Sequence, residues 1–78
     1  PVILRQAVQA ILGGAGAADA TEKARIGLTR AGFTAIDYVT LADGASLRPL
    51  DRTAPGARLF VAAWIGRTRL IDNIPADA

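Results

Sequence analysis

Apolar residues in the first dozen positions recur at intervals of three and four. The residues that share this spacing are Leu4, Ala7, Val8 and Ile11. Because an α-helix turns once in about 3.6 residues, the spacing places all of them on one face, with polar residues opposite. It predicts an amphipathic helix from Val2 to Leu12, ended by Gly13 and Gly14.

A second helix is predicted to run to about residue 31. Asp19 and Glu22 have the spacing of a capping box, with Asp in place of the usual Ser or Thr, so this helix is expected to start at Asp19. Its inner stripe is narrow enough to let two helices approach closely. The stripe consists of Ala20, Ala24, Leu28 and Ala31.

The end of the second helix carries a stop signal. Gly32 fits the left-handed position that follows a helix, and Phe33 is expected to pack back on Leu28, as in a Schellman motif. Ile26 lies nearly opposite the inner stripe, among charged neighbours, and pairing of the two helices gives it no contact. Ile26 is therefore a candidate interface residue.

The second half of the chain has the pattern of β-strands. Runs of apolar and β-branched residues alternate with clusters of turn residues. The predicted segments are strands at 34–41, 58–65 and 69–74, a loop or single helical turn at 45–56, and a hairpin connection at 66–68. Pro75 is expected to end the last strand because it has no N–H to donate to a ladder.

Helices followed by strands indicate an α+β fold, with the helices mainly on one face of a three-stranded antiparallel sheet. The predicted central strand is apolar on both faces: Leu59, Val61, Ala63 and Ile65 alternate with Phe60, Ala62 and Trp64. Two short helices can cover one face, so an exposed apolar face is expected, carrying either Phe60 and Trp64 or Val61 and Ile65, and such faces mark interfaces. The candidate interface residues are Phe60, Trp64 and Ile26. The alternative is that residues 45–56 fold across this face.

Composition limits the functions open to this chain of 78 residues, which is long enough for one small domain. It has no cysteine and no histidine, which excludes disulfides and thiolate metal sites and removes the commonest general base. The net charge of +2, with scattered arginines, argues against nucleic-acid binding. No apolar run is long enough to span a membrane. We therefore predict neither a catalytic residue nor a metal site in this chain.

Polar residues near the predicted hairpin are the candidates for contact with a substrate. Arg67 and Arg69 flank the hairpin tip, where a guanidinium could pair with a phosphate, although exposed arginines are more often only solvated. Asp72 and Asn73 follow on the third strand, where Arg69 and Asp72 are expected on opposite faces. The ordinary interpretation is a surface salt link or a polar anchor for a loop. The alternative is that these residues face an interdomain cleft.

The segments DYVTLAD at 37–43 and ARLFVAAWIGRTRLIDNIPA at 57–76 resemble the C-terminal domain of the pantoate–β-alanine ligase (pantothenate synthetase) family. The preceding two-helix segment, which closes with AGFTAIDY, is similar in order and spacing. The most specific part is AAWIGRTRLIDN, whereas the Ala-rich helices are generic. The resemblance implies that residues 1–78 form one C-terminal lid domain, with a helical hairpin at 1–32 and a sheet at 33–78.

Members of this family condense pantoate with β-alanine at the expense of ATP, with Mg²⁺ and through a pantoyl-adenylate intermediate. The resemblance implies that the catalytic machinery belongs to an N-terminal nucleotide-binding domain, whose His-Ile-Gly-His signature and Ser-Arg-Asn loop do not occur in this chain. We therefore expect ATP and Mg²⁺ in the full-length enzyme and neither on this fragment. The fragment is expected to be inactive alone.

The resemblance also implies partners and a location. The expected partner is the N-terminal catalytic domain of the same polypeptide, in a full-length enzyme that is a cytoplasmic homodimer. A chain that lacks methionine and begins inside a helical pattern favours a fragment of a larger protein. A lid needs an apolar surface to dock, which agrees with the two-faced central strand. The competing hypothesis is a stand-alone interaction module that oligomerises through the open sheet face.

Overall fold

The structure, a computed structural model, describes residues 2–77. These residues form two helices followed by three strands: α1 (Val2–Leu12), α2 (Ala17–Arg30), β1 (Ala35–Asp43), β2 (Ala57–Ile65) and β3 (Thr68–Pro75). The strands make one antiparallel sheet in the order β1-β2-β3, so β2 is central. The α+β class and the order of elements expected from the sequence are confirmed.

Both helices pack on one face of the sheet, and the core lies between the two layers. The apolar stripe of α1 is buried as its spacing predicts, and α2 adds mostly alanines, which lets the helices lie close to the strands. The helices and strands share one cluster of buried side chains. Its larger members are Leu4, Val8, Ile11, Leu28, Val39, Leu41, Leu59 and Val61.

The start of α2 differs from the capping-box prediction, which is wrong. The helix begins at Ala17 and its N-cap is Gly16, in an extended conformation and without a side-chain cap. The Ala17 N–H donates to the Asp51 carbonyl at 2.7 Å, and Ala17 is buried, so a tertiary contact satisfies one of the free N–H groups of the first turn. Asp19 therefore lies within the first turn, where its charge is favourable near the positive end of the helix.

The end of α2 follows the predicted Schellman motif. Gly32 has φ of 106°, the Phe33 N–H donates to the Leu28 carbonyl at 3.1 Å, and the Gly32 N–H donates to the Thr29 carbonyl at 3.2 Å. Phe33 packs against the core, as expected from the sequence. Ala31, expected on the inner stripe, is instead the exposed C-cap residue.

A bulge in β1 at Asp37 changes which residues face the helices. Ile36 lies opposite Ala63 and Tyr38 opposite Ala62, so Asp37 is an extra residue without a partner on β2. Beyond the bulge, the alternation resumes with Val39 on the helix side. The bulge thus brings Ile36 and Val39, three residues apart, to the same face of the sheet.

The connection from β1 to β2, residues 44–56, is a loop that begins with a single hydrogen-bonded turn at residues 44–46 and then follows the edge of β1. The Leu50 N–H donates to the Leu41 carbonyl at 2.9 Å, and Leu50 packs against the core. Farther on, Arg52 Nη1 donates to the Gly14 carbonyl at 2.6 Å, which ties the loop to the connection between the helices. The later part of the loop therefore runs on the helical side, whereas Leu47 near its start borders the opposite face of the sheet without covering it.

Candidate functional site: the open sheet face

The sheet face opposite the helices combines aromatic residues in the middle with polar residues at both ends. We call it the open face, and the strand register assigns it Tyr38, Thr40, Ala42, Arg58, Phe60, Ala62, Trp64, Arg69, Ile71 and Asn73. The two alanines are buried and the aromatic side chains are half-buried. Ile71 is 64% exposed, although it lies at the centre of β3. Within residues 2–77 no element packs over this face.

A polar network joins the three strands at the hairpin end of the open face. Oδ2 of Asp37 accepts hydrogen bonds from Arg69 Nε at 2.9 Å and from Trp64 Nε1 at 3.2 Å. The Arg69 guanidinium carbon lies 6.0 Å from the centre of the Trp64 ring, within the range of a cation–π contact. The β1 bulge makes this possible because it turns Asp37 to the same face as Tyr38.

The other end of the open face carries a second polar contact. Arg58 Nε donates to Asn73 Oδ1 at 2.7 Å, so a cation lies beside Phe60, the residue paired with Asn73. Asp72 lies on the opposite side of β3, across from Val61, and its carboxylate accepts the N–H of Asn73 at 2.8 Å. The prediction that Arg69 and Asp72 occupy opposite faces is confirmed.

The structure separates the residues that the sequence suggested as a site. Arg69 and Asn73 share the open face with Phe60 and Trp64, the two interface candidates of the central strand. Three candidates lie elsewhere: Arg67 is exposed at the hairpin tip, Asp72 faces the helical side of β3, and Ile26 is exposed on the outer surface of α2.

Leu47 borders the open face in a conformation unusual for leucine. Its φ is 63° and its side chain is 63% exposed, beside a shallow hollow of about 260 Å³ formed with Tyr38 and Phe60. The Leu47 N–H donates to the Asp43 carbonyl at 2.8 Å, and the Asp43 carboxylate accepts the Ser46 N–H at 2.7 Å. These bonds to Ser46 hold the pKa of Asp43 below its ordinary value. Leu47 was not a candidate from the sequence because nothing in the pattern marks its conformation.

Asp37 is the other contributor that sequence reasoning missed. A residue in the middle of a strand is ordinarily solvated, and no partner for it is evident from the sequence. The signal available was the spacing of Ile36 and Val39, which regular alternation would place on opposite faces. Two core residues three apart in a strand indicate a bulge between them.

The open face consists of apolar, aromatic and polar side chains on three adjacent strands. No group of three or more metal-ligating side chains occurs within residues 2–77. No helix in the same range is long and apolar enough to cross a membrane. The described residues form an α+β domain in which the helices cover one sheet face except along β3, where Leu70 is 46% exposed, and the other face has no element packed over it.

Comparison with known proteins identifies the family. Residues 1–75 match the family model described as pantoate-beta-alanine ligase, and the chain belongs to that family. It is 47% identical over 75 residues to the pantothenate synthetase of Sphingopyxis alaskensis, covering 96% of this chain and 27% of the relative. It is 48% identical over 77 residues to that of Rhizorhabdus wittichii, covering 99% of this chain and 27% of the relative.

The fold is also similar to a solved member of the family. The pantothenate synthetase of Thermus thermophilus superposes with a TM-score of 0.76 at 28% identity, over 97% of this chain and 29% of that chain. The chain therefore spans roughly a quarter of the length of the relatives it matches. The resemblance noted in the sequence is confirmed.

Proposed function

We propose that this chain is the C-terminal lid domain of an ATP-dependent ligase that joins pantoate to β-alanine through a pantoyl adenylate. The observation that carries the proposal is the family match over residues 1–75. The relatives named pantothenate synthetase support it, because each aligns with nearly all of this chain. The sheet has helices on one face and no element packed over the other, and such an arrangement suits a domain that packs against a larger one.

The proposed contribution of this chain to the reaction is to shield it from water. An acyl adenylate is hydrolysed if water reaches it, so a lid that closes over the intermediate protects it. ATP and Mg²⁺ would supply the activating phosphate chemistry and would be bound by the rest of the enzyme. Arg67, Arg69 and Asn73 are the proposed lid-facing residues, with Arg67 at the hairpin tip. Asp72, the fourth candidate from the sequence, is not among them because it faces the helical side of β3.

The proposed setting is a cytoplasmic homodimer of the full-length enzyme. In this arrangement the N-terminal catalytic domain of the same polypeptide is the first partner of this chain. Its connection through the backbone keeps the lid at a high effective concentration near the site it covers.

Activity measurements on two proteins test the proposal. AMP release is measured from ATP, pantoate and β-alanine with this chain alone and with the complete polypeptide that contains it. We expect AMP release with the complete polypeptide and none with the chain alone, and calorimetric titration of the chain with ATP should show no tight site. AMP release by the chain alone contradicts the assigned role, and a complete polypeptide inactive with these substrates contradicts the proposed activity.

A further inference from the structure

We propose that the open face is the surface by which this domain docks on the remainder of its own polypeptide, on an apolar patch flanked by carboxylates. This inference rests on the proposed function, because it presumes the larger ligase, and it adds the face that makes the contact. Ile26, on the outer surface of α2, is then outside the docking surface.

The distribution of side chains on the open face is that of a protein interface. Its middle is apolar, with Phe60 and Tyr38 half-buried beside the exposed Ile71. Its ends carry arginines, Arg58 at one and Arg69 at the other, each hydrogen-bonded to a neighbouring side chain. Interfaces have apolar centres enriched in aromatic residues and arginine, with polar rims. The arginines are held in place before a partner arrives, which lowers the entropy cost of docking.

Leu47 gives independent support for a contact at this face. A leucine with φ of 63° is strained, and strained residues persist where the surrounding structure holds them and often serve a function. The hydrogen bonds around Asp43 hold this loop tip, yet the Leu47 side chain remains 63% exposed. The strain is therefore not offset by burial within this chain. It is explained if Leu47 packs against a partner together with Tyr38 and Phe60.

The size of the open face indicates which partner covers it. Three strands about 4.8 Å apart and about 8 residues long present roughly 14 × 27 Å, or roughly 400 Å². A stable complex between separate proteins buries about 800 Å² on each partner, twice what this face offers. Domains of one chain pack through interfaces of about 600–1,500 Å² in total, or roughly 300–750 Å² on each side. The open face fits the second range, so we assign it to a tethered domain and not to a second copy.

The charges on the open face indicate which charges its partner surface carries. Arg58 and Arg69 lie on the open face, and Arg67 is exposed at the hairpin tip that adjoins the Arg69 end. Asp37 contributes a negative charge to the same face, but its carboxylate is already paired with Arg69. The face therefore carries an excess of positive charge at its two ends. A partner with carboxylates opposite Arg58 and Arg67 complements it.

Thiol labelling can locate the docking face, because this chain has no cysteine of its own. Ile71→Cys places a thiol midway along β3 on the open face, and Ile26→Cys places a matched control on the outer surface of α2. Both positions are exposed in the described chain, at 64% and 45%. Each variant is labelled in the chain alone and in the complete polypeptide, and the modified peptide is quantified by mass spectrometry.

We expect Ile71→Cys to react at least about tenfold more slowly in the complete polypeptide than in the chain alone, which corresponds to docking by about 1.4 kcal/mol. Ile26→Cys should react at similar rates in both. Asn73→Cys, on the same face, replaces Ile71→Cys if that variant fails to fold. Equal rates for the open-face thiol, or protection of Ile26→Cys instead, overturn the proposal.

Two further readouts separate this inference from its alternatives. If the open-face thiol is already protected in the chain alone and sedimentation shows a dimer, a second copy covers the face and the proposal is wrong. AMP release by the unsubstituted complete polypeptide is measured separately. If the complete polypeptide releases AMP normally but the open-face thiol is not protected, the proposed docking face is wrong and the proposed activity stands. If the thiol is protected but no AMP is released, the proposed ligase activity is wrong and the docking face stands.

Discussion

The carboxylate of Asp37 on β1 and the guanidinium of Arg69 on β3 meet at 2.9 Å across the central strand. The two strands are not neighbours, so the pair spans β2, and Trp64 of that strand donates to the same carboxylate oxygen. The bulge at Asp37 and the long side chain of Arg69 together allow this contact. It ties all three strands at the end of the sheet next to the hairpin.

The Asp37→Asn substitution tests how much this contact stabilises the fold. The side chains of Asp37 and Arg69 are 40% and 38% exposed, so water screens their attraction. We expect the free energy of unfolding to fall by less than about 1 kcal/mol, and by less still at high salt. Urea denaturation at low and high salt measures the change, with Asp72→Asn as the control on the opposite side of β3. A salt-independent loss above about 2 kcal/mol would show that the pair behaves as a buried one.

The helices and their stop signal could be predicted from the sequence because they depend on local spacing. The stripe of α1 and the Gly32–Phe33 stop of α2 involve contacts within a few residues, and both are confirmed. The start of α2 could not be predicted, since Ala17 is held by Asp51, which lies on a distant loop. A capping box describes local hydrogen bonds and cannot account for such a tertiary contact.

The candidate site was predictable only in part. The two-sided apolar pattern of the central strand indicated one open face but left two choices for it, and the structure places Phe60 and Trp64 there and Val61 on the helical side. The contact between Asp37 and Arg69 depends on the bulge and on the order of the strands, which pairwise spacing in the sequence does not specify. Leu47 could not be predicted because its φ is determined by the hydrogen bonds of the folded loop.

Gly32→Ala tests the stop signal of α2. Gly32 has φ of 106°, and a β-carbon there would meet no other atom within 4 Å, so the expected effect comes from the backbone alone. An L-residue in this region costs roughly 1–2 kcal/mol, and we expect a loss of stability of about that size. Gly32→Asn should lose less, because asparagine tolerates the left-handed conformation better. Urea denaturation compares the parent with the two variants. If the alanine variant is as stable as the parent, Gly32 is not required as the left-handed residue that ends α2.

The pH dependence of stability should carry a contribution from Asp43. The Ser46 N–H is the main cause that lowers the pKa of Asp43 below its ordinary value of 3.8 in the folded state. A carboxylate with a lowered pKa stabilises the fold above its unfolded pKa, and this contribution is lost as the pH falls through the folded value. Asp43→Asn should therefore be less stable than the parent near neutral pH, with a difference that shrinks below about pH 3.8.

Chemical denaturation of the parent and the Asp43→Asn variant, repeated from about pH 6 to about pH 2.5, measures this difference. Asp72→Asn, titrated in the same way, serves as the comparison at a carboxylate outside the loop. A difference that stays constant down to the lowest pH contradicts the role assigned to the Asp43 carboxylate.

Substitutions at Leu47 separate the strain of its backbone from the use of its side chain. Leu47→Ile should destabilise the chain by about 1 kcal/mol, because a β-branched residue is poorly accommodated at positive φ. Leu47→Asn should change stability by less than about 0.5 kcal/mol, since asparagine suits this conformation and the leucine is 63% exposed. If Leu47 contributes to docking, the same asparagine variant should raise the labelling rate of Ile71→Cys in the complete polypeptide. A large loss of stability in Leu47→Asn would instead show that the side chain serves the fold of this domain itself.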